Sequence, residues 1–394
     1  MTSQCPACAS VRTEVVDSQR GVPVNSCLLV DTAEAANSFA RGDIDLAVCH
    51  ECGFMFNAIF DRSKVEYSGR YEETQACSPR FVAFAESLAQ TWIDRYDIRH
   101  KTVAEIGCGK AEFLNIMCTA GDNRGTGIDP GVDASRFTDA ERNRMTLKAE
   151  FYDASYGPLG TDVVVCRHTL EHIPDVAKFL TDVRAGIGDE LDTIVLFELP
   201  DVARVLAEGA FWDVYYEHCS YFTMGSLARL FRRCGFVVDD VGMDFDDQYI
   251  LLEARPADFA AGPVVQEPLP GEDTPADAVV LARAYGARVR AVLDGWTADL
   301  DEARRLGERV AVWGAGSKAV SFLSNVGADK VDIAVDINPR KAGKFLPGTM
   351  QEVIVPAGLP DAKPGLVVAM NEIYFDEIAA ELRGLGVETN LRTV

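Results

Sequence analysis

Thr102-Val-Ala-Glu-Ile-Gly-Cys-Gly-Lys-Ala-Glu-Phe-Leu114, followed by Gly125-Thr-Gly-Ile-Asp129, decides the fold. Val103 to Ile106 reads as an apolar strand, Gly107-Cys-Gly109 as a turn, and Phe113, Leu114 and Met117 as the apolar face of a helix. About twenty residues later a second strand ends on an acid, Asp129, which completes the first half of a doubly wound nucleotide fold. The two glycines let backbone approach a ligand, and a carboxylate at a strand tip suits the two hydroxyls of a ribose. Two departures argue against a pyrophosphate, which wants a bare helix terminus. Position 111 is Ala where the dinucleotide pattern has its third glycine, and Glu105 places an acid two residues before the turn. Both favour a ligand with an amino-acid tail and an adenosine.

Outward from this stretch, strands alternate with helical patterns to about Arg255. Met145–Ala149, Asp162–Cys166 and Thr193–Glu198 read as strands, and Val176–Ile187 as a helix with Val176, Phe179, Leu180, Val183 and Ile187 on one face. This is the βαβ alternation of a parallel sheet, with ligands expected at the carboxyl ends of its strands. S-adenosylmethionine carries both an amino-acid tail and an adenosine. Its candidate contacts are Glu105, Gly107, Gly109, Asp129 and Pro130, with Glu150 after the third strand and His168 after the fourth. The run Asp162-Val-Val-Val-Cys-Arg-His-Thr-Leu-Glu-His172-Ile-Pro strengthens that expectation, and the whole pattern resembles the class I methyltransferases.

The chain has only five histidines. Two, His168 and His172, follow the fourth strand. A third closes Tyr215-Tyr-Glu217-His218, just past the fifth. That cluster offers a base in His218, a carboxylate in Glu217 that can orient or charge it, and a phenol in Tyr215 that can donate to an oxyanion.

Composition bounds the rest. A chain of 394 residues implies two or three domains, and 48% hydrophobic content suffices for sizeable cores. The net charge of −23 argues against nucleic acid and against an anionic membrane surface as partners. With no apolar run of membrane-spanning length and no signal-peptide pattern, a cytoplasmic protein is expected. Eleven cysteines then read as thiols and metal ligands. Cys5-Pro-Ala-Cys8 and Cys49-His-Glu-Cys52 are two knuckles of a tetrahedral zinc site, expected to be structural because four thiolates leave no open position. Short strands are expected between them, at Glu14–Ser18, Ser26–Val30 and Asp45–Val48. Cys27, Cys77, Cys108, Cys118, Cys166, Cys219 and Cys234 lack such spacing.

After Arg255 the chain is rich in Pro, Gly and acids as far as Ala278, which reads as a linker, and a long amphipathic helix follows from Ala276 to about Gly307. Arg309-Val-Ala-Val-Trp-Gly314-Ala-Gly316-Ser-Lys318 then enters a second doubly wound half that ends at Asp336. Taken alone it suggests a nicotinamide cofactor, but Ala319 and Val320 stand where the third glycine belongs and no hydride-transfer constellation follows. Lys318, Arg340 and Lys341 form a local basic patch suited to an anion such as a diphosphate.

These pieces, in this order, resemble the three-domain sugar-nucleotide C-methyltransferases of deoxysugar pathways, such as the mycarose and tetronitrose C-3 methyltransferases. The two cysteine pairs, Pro23-Val-Asn25, the Tyr71 region, His172-Ile-Pro-Asp, Tyr215-Tyr-Glu217-His218 and Val312-Trp-Gly-Ala-Gly-Ser-Lys318 carry the resemblance. It implies a small zinc-binding domain (1–70), a central class I Rossmann-like methyltransferase domain (71–257) and a C-terminal Rossmann-like domain (258–394) that has lost cofactor binding and buttresses or contacts the acceptor nucleotide. It implies methyl transfer to a sugar carbon next to a ketone, with His218 as base and Tyr215, Glu217, His172 and Tyr71 beside it. Asn25 becomes a candidate substrate contact. One departure stands out. Where the family has Gly-Gly-Ser, this chain has Asp244-Phe-Asp-Asp-Gln248-Tyr249, so Gln248 and Tyr249 are further acceptor candidates. The alternatives are an O- or N-methyltransferase, a C-methyltransferase of a non-sugar small molecule, and a nucleotide-binding scaffold with an inert methyltransferase domain. Nothing in the sequence fixes the oligomeric state.

Overall fold

The computed structural model describes residues 3–67, 71–258, 262 and 264–394. Three strands open the chain: β1 (Thr13–Pro23), β2 (Arg41–Cys49) and β3 (Met55–Asn57), paired antiparallel in that order. The expected strand at Ser26–Val30 does not form, and Val30 contributes only a single bridge to Phe345. Its polar groups are committed elsewhere. The Ser26 amide and hydroxyl both donate to the Glu217 carboxylate, so they cannot join a ladder.

The central sheet contains β4 (Thr102–Ile106), β5 (Arg124–Ile128), β6 (Met145–Lys148), β7 (Val163–Arg167) and β8 (Ile194–Pro200), all parallel. Every residue of β7 is buried, as expected of a strand covered on both faces. The helix Val176–Ile187 buries the face read from its periodicity. Glu198 lies inside β8 rather than after it, because that strand continues to Pro200. A short strand β9 (Ser220–Tyr221) then leaves this sheet and pairs with β3. The first sheet is therefore completed by a segment far along the chain. The hairpin β10 (Phe236–Asp244) and β11 (Tyr249–Pro256) returns to the central sheet, which runs β10-β11-β8-β7-β4-β5-β6 with β11 antiparallel to β8.

The segment after Pro256 is tied along this sheet's edge. Gln266 brackets the backbone of Val238, and Glu272 pairs with Arg232. Thr274 caps the long helix Pro275–Arg305 through a reciprocal capping box with Asp277. That helix buries Ala282, Tyr285, Trp296 and Leu300 in a core shared with the first sheet and the last domain. β12 (Val310–Trp313), β13 (Ile333–Val335), β14 (Val353–Ile354), β15 (Leu366–Ala369) and β16 (Asn390–Thr393) form a parallel sheet in the order β14-β13-β12-β15-β16. Both glycine turns, after β4 and after β12, line one cavity of about 1510 Å³. Among the described residues no helix is long and apolar enough to cross a membrane.

Candidate active site

The cavity's first end is the turn after β4. Gly107 and Gly109 adopt φ of +70° and +52°. A Cβ on Gly107 would stand 2.1 Å from the Thr169 hydroxyl, which donates to the Gly107 carbonyl. Asp129 closes the turn by accepting from the backbone N–H groups of Gly109 (3.1 Å) and Gly131 (2.6 Å). Burial raises its carboxyl above the ordinary range, against those two donors. Glu105 is buried, its Oε2 has no hydrogen-bond partner, and burial pushes its pKa up to about 8 against the pull of Arg167. An orphaned carboxylate oxygen under a glycine cradle, with an acid at the next strand tip, fits the amino-acid and ribose ends of S-adenosylmethionine. Pro130 and Glu150 line the same space. A left-handed backbone costs a side chain about 1–2 kcal/mol, so Gly107→Ala, with its added collision, should weaken S-adenosylhomocysteine at least about 10-fold. Calorimetry showing wild-type affinity would mean that this turn is not the cradle.

His168 follows β7 with φ +47°. Its Nε2 meets Glu198 at 2.8 Å, and Nδ1 lies 3.7 Å from Glu171. Burial works against its charge, but the two carboxylates outweigh burial and hold its pKa up at about 9. Arg167 also pairs with Glu198 (2.6 Å) while lying over the Phe113 ring. Burial would raise the Glu198 carboxyl, yet Arg167 and His168 hold it down at about 2. His168 thus lines the cavity as part of an ion network with Arg167, Glu171 and Glu198, with Tyr249 edge-on against it.

Tyr215 and His218 lie deeper. The Tyr215 hydroxyl is 2.9 Å from His218 Nε2. His172 stands edge-on to His218, with ring centroids 4.7 Å apart. Nδ1 of His172 lies 3.0 Å from the Glu217 carbonyl and 2.9 Å from the Tyr67 hydroxyl. A carbonyl only accepts, so that nitrogen carries the hydrogen. His218 is buried, and burial together with His172, His168 and Lys318 pushes its pKa well below the usual histidine range. The Glu217 carboxylate points away from this pair, toward the Asn25 amide, the Ser26 amide N–H and the Ser26 hydroxyl. Asn25 spends its side chain on Glu217 and on the backbone of Glu66, and it does not line the cavity.

On the far side, Tyr71 lines the cavity beside Tyr67. Gln248 exchanges two hydrogen bonds with Asn371 of the last domain (3.0 and 2.8 Å), and Tyr249 stacks on Phe245. Lys318 reaches Asp213 (3.1 Å), which Arg204 also grips. Lys341 is buried against Asp336 (2.9 Å), and Arg340 is exposed outside the cavity lining. Asp336 is the acid that a dinucleotide site would turn to a ribose. Here it accepts from Lys341, Ala315 and Asn338 instead.

Sequence reasoning missed two acids. Glu73 lies over the glycine turn, 2.9 Å from where a Gly109 Cβ would stand. Glu171 brings its carboxylate within 4.8 Å of ring nitrogens of His172 and His218, a grouping that could also hold a metal ion. Glu171 sits in the quoted Leu-Glu-His run, but spacing alone does not say which acid turns inward.

The sulfurs of Cys5, Cys8, Cys49 and Cys52 lie within 4.8 Å of one another, with 3.7 Å between Cys5 and Cys52 and 3.5 Å between Cys8 and Cys49. Four thiolates about 2.3 Å from one tetrahedral ion would be about 3.8 Å apart. The donor set therefore suits zinc.

A doubly wound sheet with this glycine cradle, acid pair and histidine cluster defines the chain as an S-adenosylmethionine-dependent methyltransferase. Residues 80–241 match the family model described as a methyltransferase domain, and residues 260–389 match that of a C-methyltransferase C-terminal domain. The C-methyltransferase NovU of Streptomyces niveus is 26% identical over 383 residues, covering 92% of this chain and 87% of that protein. A ribosomal protein L11 methyltransferase of Pectobacterium atrosepticum is 29% identical over 128 residues, 31% of this chain and 43% of its own. Among solved structures, the riboflavin-derivative dimethyltransferase RosA of Streptomyces davawensis aligns with a TM-score of 0.37 at 23% identity, over 45% of this chain and 56% of its own. The Burkholderia thailandensis 1,6-didemethyltoxoflavin N1-methyltransferase aligns with a TM-score of 0.37 at 16% identity, over 52% and 96%. The two family matches and the near full-length relative support a C-methyltransferase family for this chain.

Proposed function

We propose that the protein methylates a carbon next to the ketone of a nucleotide-linked deoxysugar, with His218 as the base. The observation that carries this reading is the state of His218. A buried imidazole held well below the usual range is free of its proton at neutral pH, and its partner Tyr215 is a phenol placed to donate. A carbon acid beside a ketone must lose a proton before it can accept a methyl group, and something must hold the enolate oxygen. His218 would take the proton, Tyr215 would donate to the oxygen, and His172, packed edge-on against the imidazole, would hold it in place. S-adenosylmethionine, when bound, supplies the electrophilic methyl group. Glu105, Gly107, Gly109, Asp129, Pro130 and Glu150 would hold it, and His168 would fix the wall beside it. Tyr71 would close the acceptor side, where Gln248 and Tyr249 join the hairpin to the last domain.

The size of the cavity supports a large acceptor. At about 1510 Å³ it exceeds the roughly 300–1,000 Å³ of a pocket for one small ligand, so it leaves room for a cofactor and a nucleotide-linked acceptor together. Its far wall is the turn Gly314, Gly316, Ser317 and Lys318, at the start of the helix Ser317–Val326. A helix N-terminus and Lys318 suit a diphosphate, whereas Lys341 is held by Asp336 and Arg340 lies outside the cavity lining. Asp336, already engaged by Lys341 and two backbone N–H groups, fits a domain that no longer holds a dinucleotide. Residues 1–70 would be a zinc-stabilised unit in which Cys5, Cys8, Cys49 and Cys52 hold the ion, and 71–257 and 258–394 would form the two walls of the site.

The test is incubation with a panel of nucleotide-linked keto-deoxysugars and methyl-¹³C cofactor, with the label located by NMR. Label on a ring carbon is expected. Label on oxygen or nitrogen, or on no member of the panel, would sink the reading.

A further inference from the structure

We propose that Glu171 is the positioning residue that balances the charge on His218 when that imidazole takes a proton, in place of Glu217. This rests on the reading of His218 as the base. The Glu171 side chain is only 4% exposed, and its Oε2 has no hydrogen-bond partner. That carboxylate lies within 4.8 Å of ring nitrogens of both His172 and His218. Two hydrogen bonds sew its loop to the loop of the base: Cys219 N–H donates to the Glu171 carbonyl (3.0 Å), and His172 Nδ1 donates to the Glu217 carbonyl (3.0 Å). Glu171 therefore keeps its place relative to His218.

The need for such a group follows from what surrounds the base. His168 is held protonated chiefly by Glu198, with Glu171 Oε1 3.7 Å from its Nδ1, Lys318 stands by with Asp213 as its partner, and burial removes water, so a further positive charge on His218 is opposed from several sides. Glu217 cannot answer this, since its carboxylate is spent on Asn25 and Ser26. In the proton step the acceptor C–H bond breaks, an N–H bond forms on His218, and the electron pair remains with the enolate. The new imidazolium then faces Glu171, whose Oε1 is turned to His168 while Oε2 has no partner, so one carboxylate is shared between the two rings in a buried site where an isolated charge is costly.

The experiment measures deuterium wash-out and methyl transfer by full-length E171Q, with the keto-sugar that accepts label in the panel. Both rates should fall by about 100-fold, the low end for removing one partner of a buried charge pair. Acceptor KM and S-adenosylhomocysteine affinity should stay within about twofold of wild type, which loss of general structure would not allow. E171D, which keeps the charge one methylene further back, should fall between E171Q and wild type. If E171Q does not fold, E171D carries the test, and a wild-type wash-out rate in that variant overturns the inference. Wild-type wash-out in E171Q, beside a dead His218→Ala, removes Glu171 and leaves the base standing. Wash-out that also survives His218→Ala removes the underlying reading instead.

Discussion

His218→Ala should abolish deuterium wash-out from the acceptor and lower methyl transfer by about 10²–10⁴-fold, while S-adenosylhomocysteine binds as before. The cofactor cradle of Glu105, Gly107, Gly109 and Asp129 is built on other strands and does not use the imidazole. The pH dependence follows from the sign of the shift. The pKa of folded His218 is depressed well below 6.5, so the base is ready at neutral pH. Activity should hold as the pH falls past 6.5 and drop only near the depressed value, where the folded enzyme takes up the proton. Stability behaves differently. Below about pH 6.5 the unfolded chain binds a proton at this position that the folded chain refuses, so acid draws wild type toward unfolding. The alanine variant lacks that group and should lose less stability on acidification over the same window. Wild-type wash-out in the variant would show that another group is the base.

The parts of the molecule governed by local pattern were legible. The strand read at Asp162–Cys166 forms one residue later, at Val163–Arg167, and is buried throughout, the stripe Val176-Phe179-Leu180-Val183-Ile187 is the buried face of its helix, and both glycine turns fall at strand ends. The histidines expected beyond the fourth and fifth strands do converge. What pattern could not supply is the destination of polar side chains whose partners lie far along the chain. Ser26 looks like a strand residue, but its donors go to Glu217, 191 positions away. Glu217 follows Tyr215 and precedes His218, yet it faces out of that cluster because Asn25 and Ser26 offer three donors on the other side. Gln248 reads as an acceptor contact because it stands where the resembling family has Gly-Gly-Ser, but Asn371 takes both ends of its amide. The Asp244–Gln248 departure is also a packing device. Phe245, Asp246 and Asp247 hold successive left-handed conformations, which tuck Phe245 against Phe84, Tyr249 and Tyr374 and join the hairpin to the last domain.

Cys49→Ser should both unfold the first sheet and cripple the base, although none of the four clustered cysteines lines the cavity. Cys49 ends β2 with its side chain buried, and removing one thiolate from a four-thiolate zinc site leaves the ion poorly held. Apparent binding energies of structural zinc are about 10–16 kcal/mol in isolated fingers, and they appear as folding energy. A loss of even a few kcal/mol should lower the melting temperature by about 5 °C or more. The effect on chemistry follows from how the sheet holds the base. β2 carries β3, and β3 pairs with Ser220 and Tyr221, which begin two residues after His218. On the other side of His218, Glu217 is gripped by Asn25 and Ser26 from the segment that leaves β1. The imidazole is thus suspended between two attachments to the metal-bearing sheet, and loosening that sheet frees its aim. The variant should show lost metal content, a lower melting temperature and, at temperatures where it remains folded, a larger loss in kcat than in S-adenosylhomocysteine affinity. A wild-type protein that purifies without zinc and melts no differently after chelation would show that the four sulfurs hold no ion.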